Sequence, residues 1–372
     1  MTDNLNPTEI ARNLVRIDST NPPGNEKPCA EYLAGLLREA GMQVDLHEFQ
    51  PGRTGLVATA RAGGDPLCFT GHLDTVPLGN AEWSVPPFGG EIRDGKLYGR
   101  GACDMKGGVA AMVSAAARLM RGPGPKRDLA LILTAAEETG CLGSQAMAAD
   151  GVLPSRAHAL VVGEPTNNRP VLGHKGALWV HGISHGKSAH GSMPEHGVNA
   201  ISRAAKAIAM IESYFSAAKE HPFMGRTTVN VGMITGGTRI NMVPDKCEFE
   251  ADIRTVPGSS HDAILADLDE AVGDLAELGS TINSEAVFTD PGHHWIAAVL
   301  ETLDRISGIE AKPGYVSYFT DASTLSRAMG EPPTLLLGPG DAGMAHQTDE
   351  WCSVNNIESV SEMYYEIMKS EH

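Results

Sequence analysis

Apolar and polar positions along the chain follow two periods, and the switches between them divide it into elements. From Thr8 to Ala40 the spacing is helical, broken at Asp18-Ser19-Thr20-Asn21-Pro22-Pro23-Gly24 and resumed from Ala30 to Leu37. Val44 to Phe49 alternates as a strand, and Gly55 to Ala60 follows it. Leu67-Cys68-Phe69, Leu129 to Thr134 and Ala159 to Val162 are continuously apolar, and Gly107 to Met120 reads as a helix of small residues. Runs apolar on both faces, separated by helices, predict a mostly parallel sheet covered on both sides.

After Gly173 the texture changes. Trp179 to Ile183, Thr227 to Met233 and Cys247 to Ile253 alternate as strands, with an amphipathic helix from Val198 to Ser216. Ser260 to Leu278 predicts a second helix, and Thr281 to Val287 a last strand. That order, β-α-β-β-α-β, is the signature of a ferredoxin-like α+β module. A helix from His294 to Ile306, a strand at Thr334 to Leu337 and a helix from Ile357 to Met368 then resume the first texture. The expected organisation is one α/β domain made of residues 1–173 and 290–372, interrupted by a smaller module at 174–289.

Composition narrows the field. The 372 residues suffice for two cores, and 42% apolar with 20% charged residues is ordinary for a globular protein. No apolar stretch approaches the roughly 20 residues that span a bilayer. The polar start Met1-Thr2-Asp3-Asn4 lacks the basic and apolar parts of a secretory signal, so a cytoplasmic location is expected. A net charge of −17 disfavours nucleic acid and anionic membrane surfaces as partners. The six cysteines contain no Cys-x-x-Cys pair and predict neither a disulfide frame nor a zinc knuckle.

The candidate chemistry lies at strand ends. In Gly71-His72-Leu73-Asp74, alternation points His72 and Asp74 the same way, an imidazole beside a carboxylate that can orient it. Alone, the pair also suits a core histidine beside a surface aspartate. Asp104, Glu137, Glu138, Glu164 and His346 each fall at or near the end of a predicted strand as well. In an open parallel sheet ligands bind at the carboxyl ends of the strands. Six such groups gathered there would repel and desolvate one another unless a cation sat among them. Two imidazoles and four carboxylates suit zinc, with cobalt or manganese as substitutes. Five ligands, one able to bridge, fit two ions roughly 3.5–4 Å apart. Glu137 and Glu138 need different roles, one as ligand and one as proton acceptor, because adjacent residues rarely aim alike.

Over nearly its full length the chain resembles the family of co-catalytic metallo-aminoacylases and exopeptidases. That family includes acetylornithine deacetylase, succinyl-diaminopimelate desuccinylase, aminoacylase and glutamate carboxypeptidase. The resembling segments include Ser19 to Glu26, Gly71 to Pro77, Asp94 to Gly101, Asp104 to Gly108, Glu137 to Gly140, Gly163 to Thr166 and Gly197 to Ile201. The resemblance implies a zinc-exopeptidase-like catalytic domain with an inserted lid and dimerisation domain. It implies that Asp104 bridges two ions, that His72 and Glu164 bind one each, and that Glu138 and His346 complete them. Asp74 would stand behind His72, Glu137 would be the general base toward a metal-bridged water, and the Asp104-Met105 peptide would be cis. His190, in Lys187 to Pro194, resembles the family's lid histidine, an oxyanion donor often placed across a dimer interface. Asn241 and Arg254 resemble substrate residues, with Lys175 and Thr320 as further substrate contacts.

The implied activity is removal of an acetyl or similar group from a small N-acyl amino acid such as N-acetylornithine. Within the family, His174-Lys175-Gly176, Glu195 to Ile201 and Ala345 to Glu350 echo the acetylornithine enzymes. Desuccinylases typically carry Arg-Arg-Gly-Ser at 174–177 and Asn-Glu at 349–350, and both differ here. A desuccinylase, a dipeptidase or carboxypeptidase, and a metal-binding homologue without turnover are the alternatives. The expected assembly is a homodimer through the inserted domain.

Overall fold

Four short strands with no exposed residue form the middle of the larger sheet: Leu129–Thr134, Leu67–His72, Ala159–Val162 and Thr334–Leu336. They run parallel and lie side by side in that order. Their unbroken Leu, Val, Ile and Ala runs suit burial on both faces. The sheet is mixed at its flanks. Arg53–Ala60 joins Leu129–Thr134 antiparallel, and Gln43–Gln50 joins Arg53–Ala60 antiparallel in turn. On the other side Leu336 pairs antiparallel with Val171. The parallel arrangement expected from the sequence therefore holds at the centre, and the short turn Pro51-Gly52 makes the flank a hairpin.

The computed structural model describes residues 5–216, 219–307 and 311–370. It divides into a larger unit, Met1–Gly173, Phe288–Gly314 and Thr320–His372, and a smaller one, His174–Val287 with Tyr315–Phe319.

In the larger unit the helix Gly107–Arg121 is buried along almost its whole length and packs against Pro7–Val15 and Val354–Lys369. Its small residues allow that depth. A Cβ at Gly108 would lie 2.2 Å from the carbonyl oxygen of Gly163, so only glycine lets the start of this helix touch the strand end that leads to Glu164. Asn6 and Ser353 cap the two flanking helices by accepting from Glu9 N–H and Asn356 N–H. The break predicted at Asp18 to Gly24 is present, between the helices Pro7–Val15 and Lys27–Glu39.

In the smaller unit the strands Gly176–His185, Thr228–Gly236, Lys246–Thr255 and Glu277–Ser284 and the helices Ala200–Ser216 and His261–Val272 follow the predicted order. The sheet order is Thr228–Gly236, Lys246–Thr255, Gly176–His185, Glu277–Ser284, all antiparallel. The two helices cover it with Ala204, Ala207, Ile211, Ile264 and Leu268, which pack on Leu178, Phe249 and Ile253. One boundary differs from expectation. The helix predicted to Leu278 stops at Val272, because Gly273 adopts φ +54°, ψ −127°, a conformation that ends a helix and suits glycine. The last strand accordingly starts at Glu277, earlier than the predicted Thr281.

Candidate metal centre

The parallel strands of the larger unit end at one place. His72 is the last residue of its strand, Glu137 and Glu138 follow Leu129–Thr134, and Glu164 follows Ala159–Val162. Asp104 comes from the irregular turn before Gly107–Arg121, and His346 from the loop before Trp351–Ser353. The Asp104-Met105 peptide is cis, and His346 has φ +64°.

Their side chains meet in two overlapping groups. His72, Asp104 and Glu164 have ligand atoms within 4.8 Å of one another, and so do Asp104, Glu138 and His346, so His72 and Glu164 share a group where the resemblance put them on different ions. Asp104 belongs to both. Its Oδ1 lies 3.0 Å from His72 Nε2 and its Oδ2 3.3 Å from His346 Nε2, so each oxygen faces a different imidazole. Glu164 Oε1 is 4.0 Å from His72 Nε2, and Glu138 Oε1 is 3.2 Å from His346 Nε2. Glu137 is in neither group. The adjacent glutamates are thus separated: one faces an imidazole, while the other accepts a weak contact from the Cys141 thiol at 3.8 Å.

His72 is oriented from behind. Its Nδ1 lies 3.0 Å from the backbone carbonyl of Asp74 and 3.6 Å from the Asp74 carboxylate, which leaves Nε2 as the outward nitrogen. Asp74 itself is fully buried. Its carboxylate accepts from Asn21 Nδ2 at 2.8 Å and from the backbone N–H groups of Glu137 and Glu138 at 3.1 and 3.2 Å. It therefore holds the glutamate loop as well as standing beside His72.

Protonation follows from crowding. Burial, then the charges of Glu164, Glu138 and Asp321, push the Glu137 carboxyl well above its usual range, against the pull of His72. Burial and the charge of Asp104 push Glu164 up too. Hydrogen bonds to Asp104 and Glu138 raise His346 to about 10. Burial opposes a charge on His72, yet its bonds to Asp104 and Asp74 hold it well above the ordinary imidazole range. Burial likewise works against ionised Asp104, but the two imidazoles keep it low. Carboxylates gathered this closely need positive charge beside them, and the donor set of two imidazoles and carboxylates around a shared aspartate fits two divalent cations.

Residues 68–370 match the family model for peptidase family M20/M25/M40. The chain belongs to that family. It is an amide hydrolase by that membership. It is 31% identical to the acetylornithine deacetylase of Photorhabdus laumondii subsp. laumondii, covering 94% of this chain and 90% of that one. It is 30% identical to a probable succinyl-diaminopimelate desuccinylase of Staphylococcus epidermidis, covering 97% and 96%. Among solved structures, an M20 family metallo-carboxypeptidase from Sulfolobus solfataricus shares the fold with a TM-score of 0.81, at 19% identity and 99% coverage of both chains.

The remaining expected site residues are these. Thr320, in the larger unit, has no exposed surface, and its hydroxyl accepts from Ala322 N–H at 3.1 Å, which leaves it no open face for a substrate. The other four lie in the smaller unit. His190 is exposed, and its Nδ1 accepts from Ser192 N–H at 3.2 Å and contacts the Ser192 hydroxyl at 2.7 Å, so the ring hydrogen sits on Nε2. Asn241 is its neighbour, with Gly191 N–H donating to the Asn241 carbonyl at 2.8 Å. Lys175 Nζ donates to the Arg226 carbonyl at 2.6 Å. Arg254 departs from the expected open grip, because its Nε and Nη2 already hold the Asp252 carboxylate at 2.9–3.2 Å.

Three buried carboxylates hold the ligand loops, a role that the sequence does not reveal even though Glu26 and Glu350 lie in the segments singled out above and Asp321 adjoins Thr320 as a candidate substrate contact. Glu26 is paired with Arg53 and accepts from Ala136 N–H at 3.2 Å. Asp321 accepts from the hydroxyls of Thr134 and Ser144, each at 2.5 Å, on either side of the glutamate loop. Glu350 does the same for the Asp104 turn. A carboxylate that binds backbone or hydroxyl groups far away in sequence leaves no motif. Cys103, beside Asp104, is buried, and burial pushes its thiol far up, so it offers no thiolate nucleophile.

Proposed function

We propose that the chain hydrolyses the amide of a small N-acyl amino acid, N-acetylornithine or a close analogue, at two divalent ions, zinc with cobalt or manganese as substitutes. The observation that carries the two-ion reading is Asp104, whose two oxygens face two different imidazoles. His72 and Glu164 would hold one ion, Glu138 and His346 the other, with Asp104 shared. When bound, such ions lower the pKa of water and of nearby carboxyls and polarise a carbonyl. Glu137, outside both groups yet within the cluster, accepts the water proton and returns it to the leaving amine. Asp74 keeps Glu137 and Glu138 in place through their backbone N–H groups. His190, with its hydrogen on Nε2, donates to the developing oxyanion. Asn241, beside His190, and Lys175 contact the substrate. Arg254 serves a substrate carboxylate only on exchanging it for Asp252.

The acetyl preference is supported by relatives named acetylornithine deacetylase, and a desuccinylase is the second reading, supported by the relative of that name at similar identity. We place the enzyme in the cytoplasm, where the absence of disulfides among its six buried cysteines is ordinary. The test is a panel of N-acetyl, N-succinyl and N-formyl amino acids and dipeptides, with zinc, cobalt or manganese supplied and free amine measured. Turnover of an N-acetyl amino acid is expected, with Glu137→Gln slower by about 10²–10⁴-fold at unchanged metal content. Faster N-succinyl cleavage would favour the second reading, and no turnover despite bound metal would leave only a binding protein.

A further inference from the structure

The Asp104 turn and the His346 loop are joined by one ion pair. Arg100 and Glu350 have side chains 1% exposed and meet at 2.7 Å between Nη1 and Oε2. Glu350 Oε2 also accepts from Gly101 N–H at 3.0 Å, while its Oε1 accepts from Cys103 N–H at 2.8 Å and Asp104 N–H at 3.0 Å. Each carboxylate oxygen thus carries two hydrogen bonds, which fills its acceptor capacity and leaves no lone pair for a cation. The backbone from Gly101 to Asp104 curls around this carboxylate as an anion-binding concavity.

The other half of the pair reaches the opposite way. Arg100 Nη1 donates to the Gln347 carbonyl at 3.2 Å, and Nη2 donates to the carbonyls of His346 at 3.4 Å and Pro77 at 3.1 Å. That matters because the His346 side chain is 51% exposed and little of it is held by packing. Its place opposite Asp104 and Glu138 depends on its backbone, and Arg100 binds that backbone. His72 and Glu164, by contrast, continue directly from central strands.

We infer that Glu350, through Arg100, is a positioning residue that sets the distance between Asp104 and His346 and so the affinity of the second ion. This rests on the two-ion reading above. Partners that orient ligands from behind change metal affinity by about 10–100-fold when altered. Glu350→Gln keeps the volume but turns an amide NH2 toward backbone donors. Arg100→Lys keeps the charge but loses the fork that reaches His346 and Gln347.

The test is calorimetric titration of metal-free full-length protein with zinc, for the wild type, Glu350→Gln and Arg100→Lys. His346→Ala serves to mark which of the two binding steps is the second ion. A folded Glu350→Gln or Arg100→Lys protein should lose about 10–100-fold for that ion, and much less for the other. Unchanged affinity for both ions, or an equal loss at both, overturns the inference while leaving the two-ion reading intact. Failure of both variants to fold overturns it too, since the pair would then be a folding element. A wild type that binds no zinc sinks the metal reading itself.

Discussion

Burial at the centre acts on each residue through its protons. His346, raised to about 10, and His72, raised well above its ordinary value, carry protons at neutral pH without metal, and Glu164 is pushed the same way. Each must be unprotonated to bind a cation, so metal binding releases protons and affinity falls as pH falls. The expected outcome is net proton release at pH 7, seen as a dependence of the binding heat on the buffer's ionisation enthalpy, with zinc affinity rising from pH 6 to 8. Affinity independent of pH across that range would show that the ions do not sit on these groups. His72, Glu138 and Glu164 were legible as metal-ligating residue types close behind apolar runs, whereas Asp104 and His346, set in a turn and a loop, were legible only through the segments that resemble the family. The pairing of Arg254 with Asp252 was also within reach, since residues two apart on a strand share a face. The burial of Thr320 was not, because nothing in Phe319-Thr320-Asp321 distinguishes a buried turn from an open one.

Among the elements, the apolar strands were read almost to the residue. A run such as Leu129-Ala130-Leu131-Ile132-Leu133-Thr134 admits few other placements. The helix that begins at Gly107 shows what periodicity leaves out. Its small residues signalled close packing, but the contact of Gly108 with Gly163 is a meeting of distant segments. The same holds for Glu26, Asp321 and Glu350. Each accepts hydrogen bonds from segments distant in sequence, and only the folded chain brings carboxylate and donors together. The helix predicted to Leu278 ends at Val272 for a local reason, since the apolar spacing continues past Gly273 while that residue's φ of +54° stops the helix.

The whole chain combines a net charge of −17 with an apolar surface on its smaller unit. Thr228–Gly236 is an outer strand of the antiparallel sheet and exposes Met233 and Ile234 at 60% and 52%, with Ile201 and Val198 also exposed. Outer strands and apolar patches of this kind favour self-association. We propose a homodimer formed by this unit. Sedimentation equilibrium should give twice the chain mass, and Ile234→Asp should shift it toward monomer. A monomeric wild type at micromolar concentration would remove the dimer without touching the metal centre. No helix among the described residues is long and apolar enough to cross a membrane.

All of the proposed chemistry depends on Asp104 lying between two cations. Crystals grown with zinc, measured at the zinc absorption edge, address that directly. The account predicts two anomalous peaks flanking the Asp104 carboxylate, one contacted by His72 and Glu164 and the other by Glu138 and His346. A single peak that Asp104 does not touch, or zinc bound only elsewhere on the surface, would contradict it.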